Sequence, residues 1–532
     1  MIFPRLVLAG THSGCGKTTL SLALMTLLKR QGLAVHPFKV GPDYIDPAFH
    51  REACGRMSFN LDPWLMSEEV VLSLFHEHAF QRQTADKAVH VGQWEPPDAQ
   101  ASGLSIIEGV MGLYDGLGAG ARCSTAHVAC VIKAPVVLVV NAHGLSLSAA
   151  ALASGFSTFR PCSGPDLSEL AISGVILNHI SSDKHYQLLR QAIEENTGLP
   201  CFGWLGKNAV PALPHRHLGL VPVEEQRRLP EYLHALADAA THTLDISSLI
   251  AVAENAPCPD TPGKRVSPVQ LHLETGLFRK AKGEAGPGGS FLPDHSAPRI
   301  GVARDAAFSF YYQDNLTALE RLGAQLVFFS PLHDRGLPAG LDGLYLGGGF
   351  PELHAGQLEN NAVLRAEIKT ALESGMPAYA ECGGMLYLCR SLFLPPGKQG
   401  DTSRSFAMVG FFDRKAELTT RLQPFGYVTA TLMENNVLGP AGASFPAHEF
   451  HYSRLLPPPP FFSPEEAAPV HCDKREPGPV LMEKADGRTW TGGLIRKNVL
   501  AMFPHIHFLG CPAAARNFVS ACRTYRTQKE GI

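Results

Sequence analysis

The stretch Ala9-Gly10-Thr11-His12-Ser13-Gly14-Cys15-Gly16-Lys17-Thr18-Thr19 decides the fold of the first half of this chain. The apolar run Leu6-Val7-Leu8 precedes it, and a leucine-rich segment with helical character, residues 20–28, follows it. A strand, a glycine-rich turn and a helix in this order are the setting in which backbone N–H groups and a helix N-terminus bind phosphate. The sequence therefore predicts a nucleotide-binding loop at the start of an α/β domain.

This loop departs from the strict phosphate-binding pattern at one position. The pattern places a glycine five residues before Gly16, where this chain has Thr11, and Gly10 lies one residue early. Looser loops of this kind occur in relatives of dethiobiotin synthetase and in partition-type ATPases. We expect Lys17 to reach the β- and γ-phosphates of ATP and the Thr18 hydroxyl to bind Mg²⁺. The predicted ATP-binding residues are Gly14, Gly16, Lys17, Thr18 and Thr19.

Length, charge and cysteine usage exclude several classes of protein. A chain of 532 residues exceeds what one hydrophobic core usually supports, so two or more domains are expected. A net charge of −3 without a long basic block predicts no nucleic-acid partner. The chain shows no apolar run that could span a bilayer and no signal peptide, and its 12 cysteines include no C-x-x-C pair. We therefore expect a cytoplasmic protein without a membrane partner, a zinc site or a disulfide framework.

The order of apolar runs predicts two α/β domains. Over residues 1–250, short β-rich runs alternate with longer helical stretches, which is typical of a doubly wound, mostly parallel sheet. Residues 251–298 are rich in Pro and Gly and are predicted to be a linker. A second α/β series occupies residues 299–532. The predicted strands are 5–9, 34–39, 104–108, 136–141, 174–178 and 201–205 in the first domain, and 299–303, 325–329, 343–346 and 377–380 in the second.

Carboxylates follow two of the predicted strands of the first domain. Asp43 and Asp46 come after the second strand, and Glu108 ends the third. Because ligands bind at the carboxyl ends of parallel strands, we expect Thr18, Asp43 and Glu108 to bind the Mg²⁺ of Mg-ATP. For Asp46 and for Asp115, capping of a turn is an equally good interpretation, since Asp beside Pro or Gly commonly does this.

The second domain contains a candidate nucleophile. Cys382 lies between a predicted strand and a predicted helix, the setting of a nucleophile elbow, where the helix dipole favours a thiolate. A buried inert thiol is the alternative. The glycine run 347–349 follows the preceding strand and is expected to form an oxyanion hole through Gly348 and Gly349. A cysteine nucleophile needs a base. The candidate bases are His448, His451, His505 and His507.

Taken together, these motifs resemble one family, the cobyrinate (or hydrogenobyrinate) a,c-diamide synthases, which are glutamine-dependent corrin amidotransferases. Each motif alone is modest evidence, but their order and combination are specific, and they extend over nearly the whole chain outside the linker and the loop insertions. The segments that carry the resemblance are 9–19, 39–47, 60–63, 108–116, 217–220, 304–312, 347–352, 380–384 and 448–453.

The resemblance implies an enzyme with two active sites. Its first half would be a doubly wound P-loop domain similar to dethiobiotin synthetase, which binds Mg-ATP and a corrinoid tetrapyrrole. Its second half would be a class I glutaminase with Cys382 as the nucleophile and His505 as the base. Most such glutaminases have a glutamate two residues after the histidine, where this chain has His507. ATP would activate a carboxylate as an acyl phosphate, which ammonia released from glutamine would attack. Tyr44, Asp46 and His50 are the candidate substrate-binding residues.

Three other functions stay open at this stage. Cobyric acid synthase amidates four other side chains of a related substrate, and another amidase could act on a sirohydrochlorin-type tetrapyrrole. A partition-type ATPase switch is the remote alternative, and it would have no use for an elbow at Cys382. The sequence sets no oligomeric state, and a homodimer is possible.

Overall fold

The computed structural model describes residues 3–79, 103–207, 209, 215–216, 219–226, 228–259, 297–396, 403–456 and 478–531. The chain divides into two compact units, Met1–Leu271 and His272–Ile532. Each unit has a central sheet of mainly parallel strands with helices between them, so the predicted α/β fold class is confirmed for both. Within the described residues no helix combines the length and the apolar character needed to cross a membrane.

Seven described strands of the first unit form one parallel sheet. Across the sheet they follow the order Phe59–Leu61, Val35–Val40, Leu104–Glu108, Arg5–Gly10, Val136–Asn141, Ile172–Ile180 and Cys201–Gly206. Their Val- and Ile-rich runs are buried almost throughout, as expected for a parallel sheet covered on both faces. Leu8 pairs with Glu108, so the phosphate-binding stretch and Glu108 leave the sheet at the same edge.

The helices of the first unit cover this sheet. Helix Lys17–Arg30 begins directly after Gly16, buries its leucine-rich face and ends on two basic residues, which suit the negative end of the helix dipole. The other described helices are Asp46–Cys54, Glu68–His78, Thr125–Val131, Ser148–Thr158, Asp183–Thr197, Leu229–Thr241 and Ile246–Glu254, with a 3₁₀ turn at Val223–Glu225 and a short hairpin of His215–Arg216 and Gly219–Leu220. The predicted linker 251–298 thus starts inside a helix, and most of it lies outside the described residues.

The central sheet of the second unit carries the candidate nucleophile. In order, its described strands are Gln325–Phe329, Arg299–Ala303, Gly343–Leu346, Ala378–Glu381, Val499–Met502 and Leu494–Arg496. The pairs are parallel except at Leu494–Arg496, which is an antiparallel edge strand. Glu381 pairs with Met502, so the residues that follow these two strands, Cys382 and Phe503, leave the sheet side by side.

Two further sheets of the second unit were not predicted from the sequence. One contains Arg404–Ala407, Cys389–Leu394, Phe412–Leu418 and Ser453–Leu455, and the other contains Thr489–Gly492, Val480–Glu483, Gly426–Leu432, Ser444–Glu449 and His505–Ile506. The second of these pairs His448 with His505 across antiparallel strands. The described helices of this unit are Gln313–Arg321, Ala355–Asn360, Ala362–Glu373, Gly383–Leu388 and Pro512–Glu530, with a 3₁₀ turn at Pro351–His354.

Candidate active sites

The phosphate loop, residues 10–16, joins the central strand of the first sheet to helix Lys17–Arg30. Gly14 and Gly16 have φ values of +82° and +100°, the left-handed region that favours glycine. A Cβ on Gly16 would lie 1.8 Å from the amide nitrogen of Asn178, which donates to the Cys15 carbonyl at 2.9 Å. Asn178 therefore clamps the loop. Its position in a strand at the ligand-binding edge of the sheet was the only sequence signal for this role.

The early glycine of the loop has a structural reason. A Cβ on Gly10 would lie 2.4 Å from Cys15 Sγ and 3.0 Å from the Lys17 side chain. The backbone N–H of Thr11 donates to the Val139 carbonyl at 3.2 Å, which continues the pairing of the two strands by one residue. The close approach that requires a glycine therefore occurs at residue 10 rather than at residue 11.

Lys17 and Thr19 occupy the first turn of the helix. Lys17 Nζ donates to the Met111 carbonyl at 2.5 Å and to the His12 carbonyl at 3.4 Å, and burial lowers the pKa of Lys17. Lys17 is thus held between the phosphate loop and the segment that follows Glu108. The Thr19 side chain hydrogen-bonds to Tyr232.

Four side chains meet beside the phosphate loop in a group that we call the acidic cluster: Thr18, Lys39, Asp46 and Glu108. Thr18 Oγ1 donates to Glu108 Oε1 at 2.6 Å and lies 3.4 Å from Asp46 Oδ2. Lys39 Nζ donates to Asp46 Oδ2 at 2.6 Å and to Glu108 Oε1 at 2.9 Å. The structure thus brings the predicted Thr18 and Glu108 together. It adds Lys39, a strand residue for which no role was predicted from the sequence.

The charges of the acidic cluster do not balance. Burial alone would lower the pKa of Lys39, but Asp46, Glu108 and Asp43 raise it above its usual value, so Lys39 stays a cation. Burial would raise the pKa of Glu108, but Lys39 and His50 hold it well below its usual range. Burial and the neighbouring carboxylates Asp43 and Glu108 raise the pKa of Asp46. One ammonium group faces more carboxylate charge than it can neutralise.

Asp43 lies next to the acidic cluster and also caps the turn that leads into helix Asp46–Cys54. Its Oδ1 accepts hydrogen bonds from the backbone N–H groups of Ile45 at 2.8 Å and Asp46 at 3.0 Å, and its Oδ2 lies 3.9 Å from Lys39 Nζ. The turn-capping alternative thus describes Asp43 rather than Asp46. Asp46 is the aspartate closest to Thr18. Asp115 also caps a turn, accepting from the Gly112 N–H at 2.8 Å.

His50 and Tyr44, which we predicted to bind substrate, differ in their surroundings. His50 is fully buried, with Nε2 at 2.8 Å from Glu108 Oε2 and Nδ1 at 3.0 Å from Ser58 Oγ. Both ring nitrogens contact protein groups, Glu108 and Ser58, so a role of His50 in substrate binding stays a prediction. Tyr44 is half-buried in the loop between strand Val35–Val40 and helix Asp46–Cys54.

The oxygen donors of the acidic cluster fit Mg²⁺. A threonine hydroxyl and two carboxylates are hard ligands of the kind that Mg²⁺ takes beside nucleotide phosphates. A divalent cation would also neutralise the carboxylate charge of the acidic cluster that the single ammonium group of Lys39 does not neutralise. Among the described residues no group of three or more His, Cys, Asp or Glu side chains has the arrangement of a self-sufficient metal site.

In the second unit, Cys382 stands on a strained turn. It joins strand Ala378–Glu381 to helix Gly383–Leu388 with φ 45° and ψ −102°, a conformation that is costly for a residue with a side chain. Its N–H donates to the Met502 carbonyl at 2.8 Å, and it is 9% exposed. Burial raises the pKa of the Cys382 thiol, and the charges of Glu352 and Glu449 raise it further. These effects outweigh the expected stabilisation of a thiolate, so the thiol needs a base.

The glycine run 347–349 packs against this turn. The Gly384 N–H donates to the Gly347 carbonyl at 3.0 Å, and a Cβ on Gly383 would lie 3.1 Å from the backbone nitrogen of Gly349. A Cβ on Gly348 would lie 2.6 Å from Cε1 of His505. The structure thus brings the predicted oxyanion residues Gly348 and Gly349 together with the elbow and with His505.

His505 contacts the residue that precedes the candidate nucleophile. Its Nδ1 lies 3.2 Å from Glu381 Oε2, and both side chains are buried. Glu381 also accepts hydrogen bonds from the hydroxyl groups of Tyr379 at 2.7 Å and Tyr345 at 3.2 Å. Glu381 lies in the segment 380–384, but no role was predicted for it from the sequence. Adjacency to Cys382 was the only signal available.

The other candidate histidines have different partners. His448 is cross-strand to His505, and burial lowers its pKa to about 3. His451 bonds Glu449 Oε1 through Nε2 at 2.8 Å and the Ser453 carbonyl through Nδ1 at 2.6 Å. His507 occupies the position where most triad glutaminases have a glutamate. Its Nε2 lies 3.8 Å from Asp314 Oδ2, and burial lowers its pKa to about 4.

Comparison with known protein families identifies the class of both units. The CobQ/CobB/MinD/ParA nucleotide binding domain matches residues 6–221, and the CobB/CobQ-like glutamine amidotransferase domain matches residues 299–513. These two domain matches, together with the phosphate loop of the first unit and the cysteine elbow of the second, define the class of protein as a glutamine-dependent amide ligase that uses ATP. The ATPase-switch alternative, which has no glutaminase half, is thereby excluded.

Curated relatives extend the comparison to nearly the full chain. The cobyrinate a,c-diamide synthase of Listeria innocua is 39% identical over 511 residues, covering 96% of this chain and 97% of that protein. The enzymes of the same name from Caldanaerobacter subterraneus and Salmonella typhimurium are 38% and 36% identical, covering 98% and 97% of this chain and 98% of each relative. The chain belongs to the cobyrinate a,c-diamide synthase family, as the sequence motifs predicted.

Proposed function

We propose that this enzyme amidates the a- and c-acetate carboxylates of cobyrinate or hydrogenobyrinate, with ATP as the activating substrate and glutamine as the nitrogen donor. The names and full-length similarity of the relatives support the substrate. The observation that carries the division of labour is the presence, in one chain, of a phosphate loop beside an acidic cluster and of a buried cysteine elbow beside a glycine run.

The first unit activates the carboxylate. A carboxylate does not react with ammonia at neutral pH, because its oxygen is a poor leaving group. An oxygen of the substrate carboxylate attacks the γ-phosphorus of ATP, the bond to ADP breaks, and an acyl phosphate forms. Lys17 and the N–H groups of the phosphate loop stabilise the charge that develops on the transferred phosphoryl group. Mg²⁺, held by Thr18, Asp46 and Glu108 with Asp43 beside them, would supply further charge neutralisation. Tyr44 is the remaining candidate for contact with the tetrapyrrole.

The second unit releases ammonia. His505 takes the proton from the Cys382 thiol, and the thiolate attacks the side-chain amide carbon of glutamine. The negative charge on the amide oxygen is stabilised by backbone N–H groups at Gly349 and at the start of helix Gly383–Leu388. His505 returns the proton to the leaving nitrogen, which departs as ammonia. Water then hydrolyses the thioester and releases glutamate.

Amide formation joins the two half-reactions. Ammonia attacks the carbonyl carbon of the acyl phosphate, phosphate leaves, and the substrate becomes a primary amide. A second round on the other acetate side chain gives the diamide. Each round consumes one ATP and one glutamine.

The test replaces the nucleophile and varies the nitrogen donor. Cys382→Ala is expected to lose glutamine-dependent amidation and to keep amidation driven by ammonium salts at alkaline pH. Cys389→Ala is the matched control, because Cys389 is another buried cysteine of the same unit, and its thiol donates to the Met385 carbonyl at 3.3 Å. The control should keep both activities. Loss of the ammonia-driven reaction in folded Cys382→Ala would refute the division into two sites.

Substrate and metal are tested in the same assay. Cobyrinate, hydrogenobyrinate and sirohydrochlorin are supplied in parallel, and the amides added to each are counted by mass spectrometry. Two added amides on a corrin support the proposal, whereas four, or amidation of sirohydrochlorin alone, contradict it. Chelation of Mg²⁺ is expected to stop amidation with either nitrogen donor and to leave glutamine hydrolysis intact.

A further inference from the structure

We propose that Glu449 binds the α-ammonium group of glutamine in the glutaminase site of the second unit. Glu449 is the last residue of strand Ser444–Glu449 and lies in the segment 448–453, to which the proposed reaction gives no role. This inference rests on the proposed glutaminase reaction and deepens it, because it assigns a binding residue to the end of glutamine that does not react.

One oxygen of Glu449 is buried without a hydrogen-bond partner. The residue is 2% exposed, and its Oε1 lies 2.8 Å from Nε2 of His451. Within the part of the chain that the structure describes, Glu449 Oε2 makes no hydrogen bond. A buried polar atom without a partner costs free energy, and a ligand that supplies the missing hydrogen bond removes this cost.

The contacts of His451 define Glu449 Oε2 as an acceptor. Nδ1 of His451 lies 2.6 Å from the Ser453 carbonyl, which only accepts hydrogen bonds, so Nδ1 donates. The contact between Nε2 and Glu449 Oε1 then holds one proton, which belongs either to the ring or to the carboxyl group. In both arrangements Oε2 carries no proton. The group that binds to Oε2 must therefore be a donor.

Glu449 lies beside the cysteine elbow. Its partner His451 stacks on Phe503, with ring centroids 3.7 Å apart and 3° between the ring planes. Phe503 leaves the central sheet next to Cys382, because the residues that precede these two are paired. Besides burial, the charges of Glu352 and Glu449 raise the pKa of the Cys382 thiol, so Glu449 lies within electrostatic range of the sulfur. The unpartnered oxygen thus belongs to the surroundings of the nucleophile.

The chemistry of glutamine selects the group that Glu449 binds. In the proposed reaction, the amide carbon of glutamine faces Cys382, its oxygen lies at the glycine run, and its nitrogen takes a proton from His505. The α-carboxylate only accepts hydrogen bonds, so it cannot donate to Glu449 Oε2. The α-ammonium group only donates, and it is the remaining part of the substrate that can bind this oxygen.

The first experiment compares two substrates of the wild-type enzyme: glutamine, and glutaramate, which is glutamine without its α-amino group. A site built to hydrogen-bond a substrate group rejects the analogue that lacks the group, because a buried polar atom of the site then stays unpaired. We expect kcat/KM for hydrolysis to be at least about 10²-fold higher for glutamine than for glutaramate. This measurement does not depend on the folding of any variant.

The second experiment replaces Glu449 in the full chain. In Glu449→Ala, kcat/KM should fall by about 10²-fold for glutamine and stay within about threefold for glutaramate, so the preference for glutamine is lost. Glu449→Gln keeps an acceptor oxygen and should show a preference between those of Glu449→Ala and wild type. Glu483→Ala is the matched control, because Glu483 is an exposed glutamate of the same sheet, and it should keep the wild-type preference. Amidation with ammonium salts should be unchanged in all three variants.

Three results would overturn the proposal: equal hydrolysis of both substrates by the wild-type enzyme, a preserved preference in Glu449→Ala, or an equal loss with both substrates in that variant. An equal loss would mark a structural role or a contact with the amide. If Glu449→Ala loses the ammonia-driven reaction and is therefore misfolded, an unaltered preference in Glu449→Gln contradicts the proposal instead. The underlying glutaminase assignment fails separately, if Cys382→Ala still hydrolyses glutamine.

Discussion

Replacement of Gly348 by alanine tests the glutaminase geometry from the opposite side of His505. The new Cβ would lie 2.6 Å from Cε1 of His505 and 3.3 Å from the Cβ of Phe310. The His505 ring has to move by about 0.8 Å to reach an ordinary contact of 3.4 Å. It cannot turn freely, because Glu381 holds its Nδ1. A misplacement of this size costs a catalytic group about 10²-fold in rate, or about 2.7 kcal/mol in activation free energy.

The assay follows glutamate release and amide formation separately. In Gly348→Ala we expect glutamine hydrolysis and glutamine-dependent amidation to fall by about 100-fold, with ammonia-driven amidation unchanged. Gly356→Ala is the matched control, because the nearest atom to its new Cβ is a Phe406 ring carbon at an ordinary 3.6 Å. The control should retain both activities. Full glutaminase activity in folded Gly348→Ala would refute the placement of the His505 ring beside the glycine run.

Two further predictions concern the acidic cluster of the first unit. Lys39→Met leaves Glu108 and Asp46 buried without their cation, so the free energy of unfolding, measured by urea denaturation, should fall by about 3–5 kcal/mol. Lys184→Met, at an exposed lysine, is the control. An unchanged unfolding midpoint for Lys39→Met would contradict the ion-pair geometry. Asp46→Asn should raise stability and weaken ATP-dependent amidation, because the raised pKa of Asp46 means that its ionisation opposes folding above the ordinary value of 3.8. The stability gain should be absent near pH 3, where aspartate is protonated in both the folded and the unfolded chain, and should grow as the pH rises above 3.8. A gain that is independent of pH would show another cause.

Much of the parallel architecture could be predicted from the sequence. Runs such as Val136–Asn141 are rich in β-branched residues and are bounded by turn residues, so their position needs no knowledge of the rest of the fold. The strand Phe59–Leu61 escaped prediction because it has three residues and no pattern of its own. The two smaller sheets between 389 and 506 were not predicted, because the pairing of their short strands depends on residues far along the chain, as when Ala447 pairs with Ile506.

Site residues could be predicted from the sequence where a reactive or metal-binding side chain lies at or just after the end of a predicted strand. Thr18 and Glu108 follow neighbouring parallel strands, so their meeting follows from the order of strands. Which aspartate joins them did not follow, because Asp43 and Asp46 share one loop and only its folded path selects between them. The contact between Glu381 and His505 joins residues 124 positions apart in the chain, which no local pattern reveals. The state of the Cys382 thiol depends on burial that the helix start alone did not indicate.

Because Glu381 and Cys382 are consecutive residues, His505 is the member of the candidate glutaminase site that can move away from the other two. Acid and nucleophile are joined by a peptide bond, whereas His505 arrives on a two-residue strand at the edge of an antiparallel sheet. If that edge opened, His505 would leave Glu381 and the glycine run, and the site would lose its candidate base. Local opening of this edge alone would therefore stop glutamine hydrolysis while the strand that carries Cys382 stays paired in the central sheet.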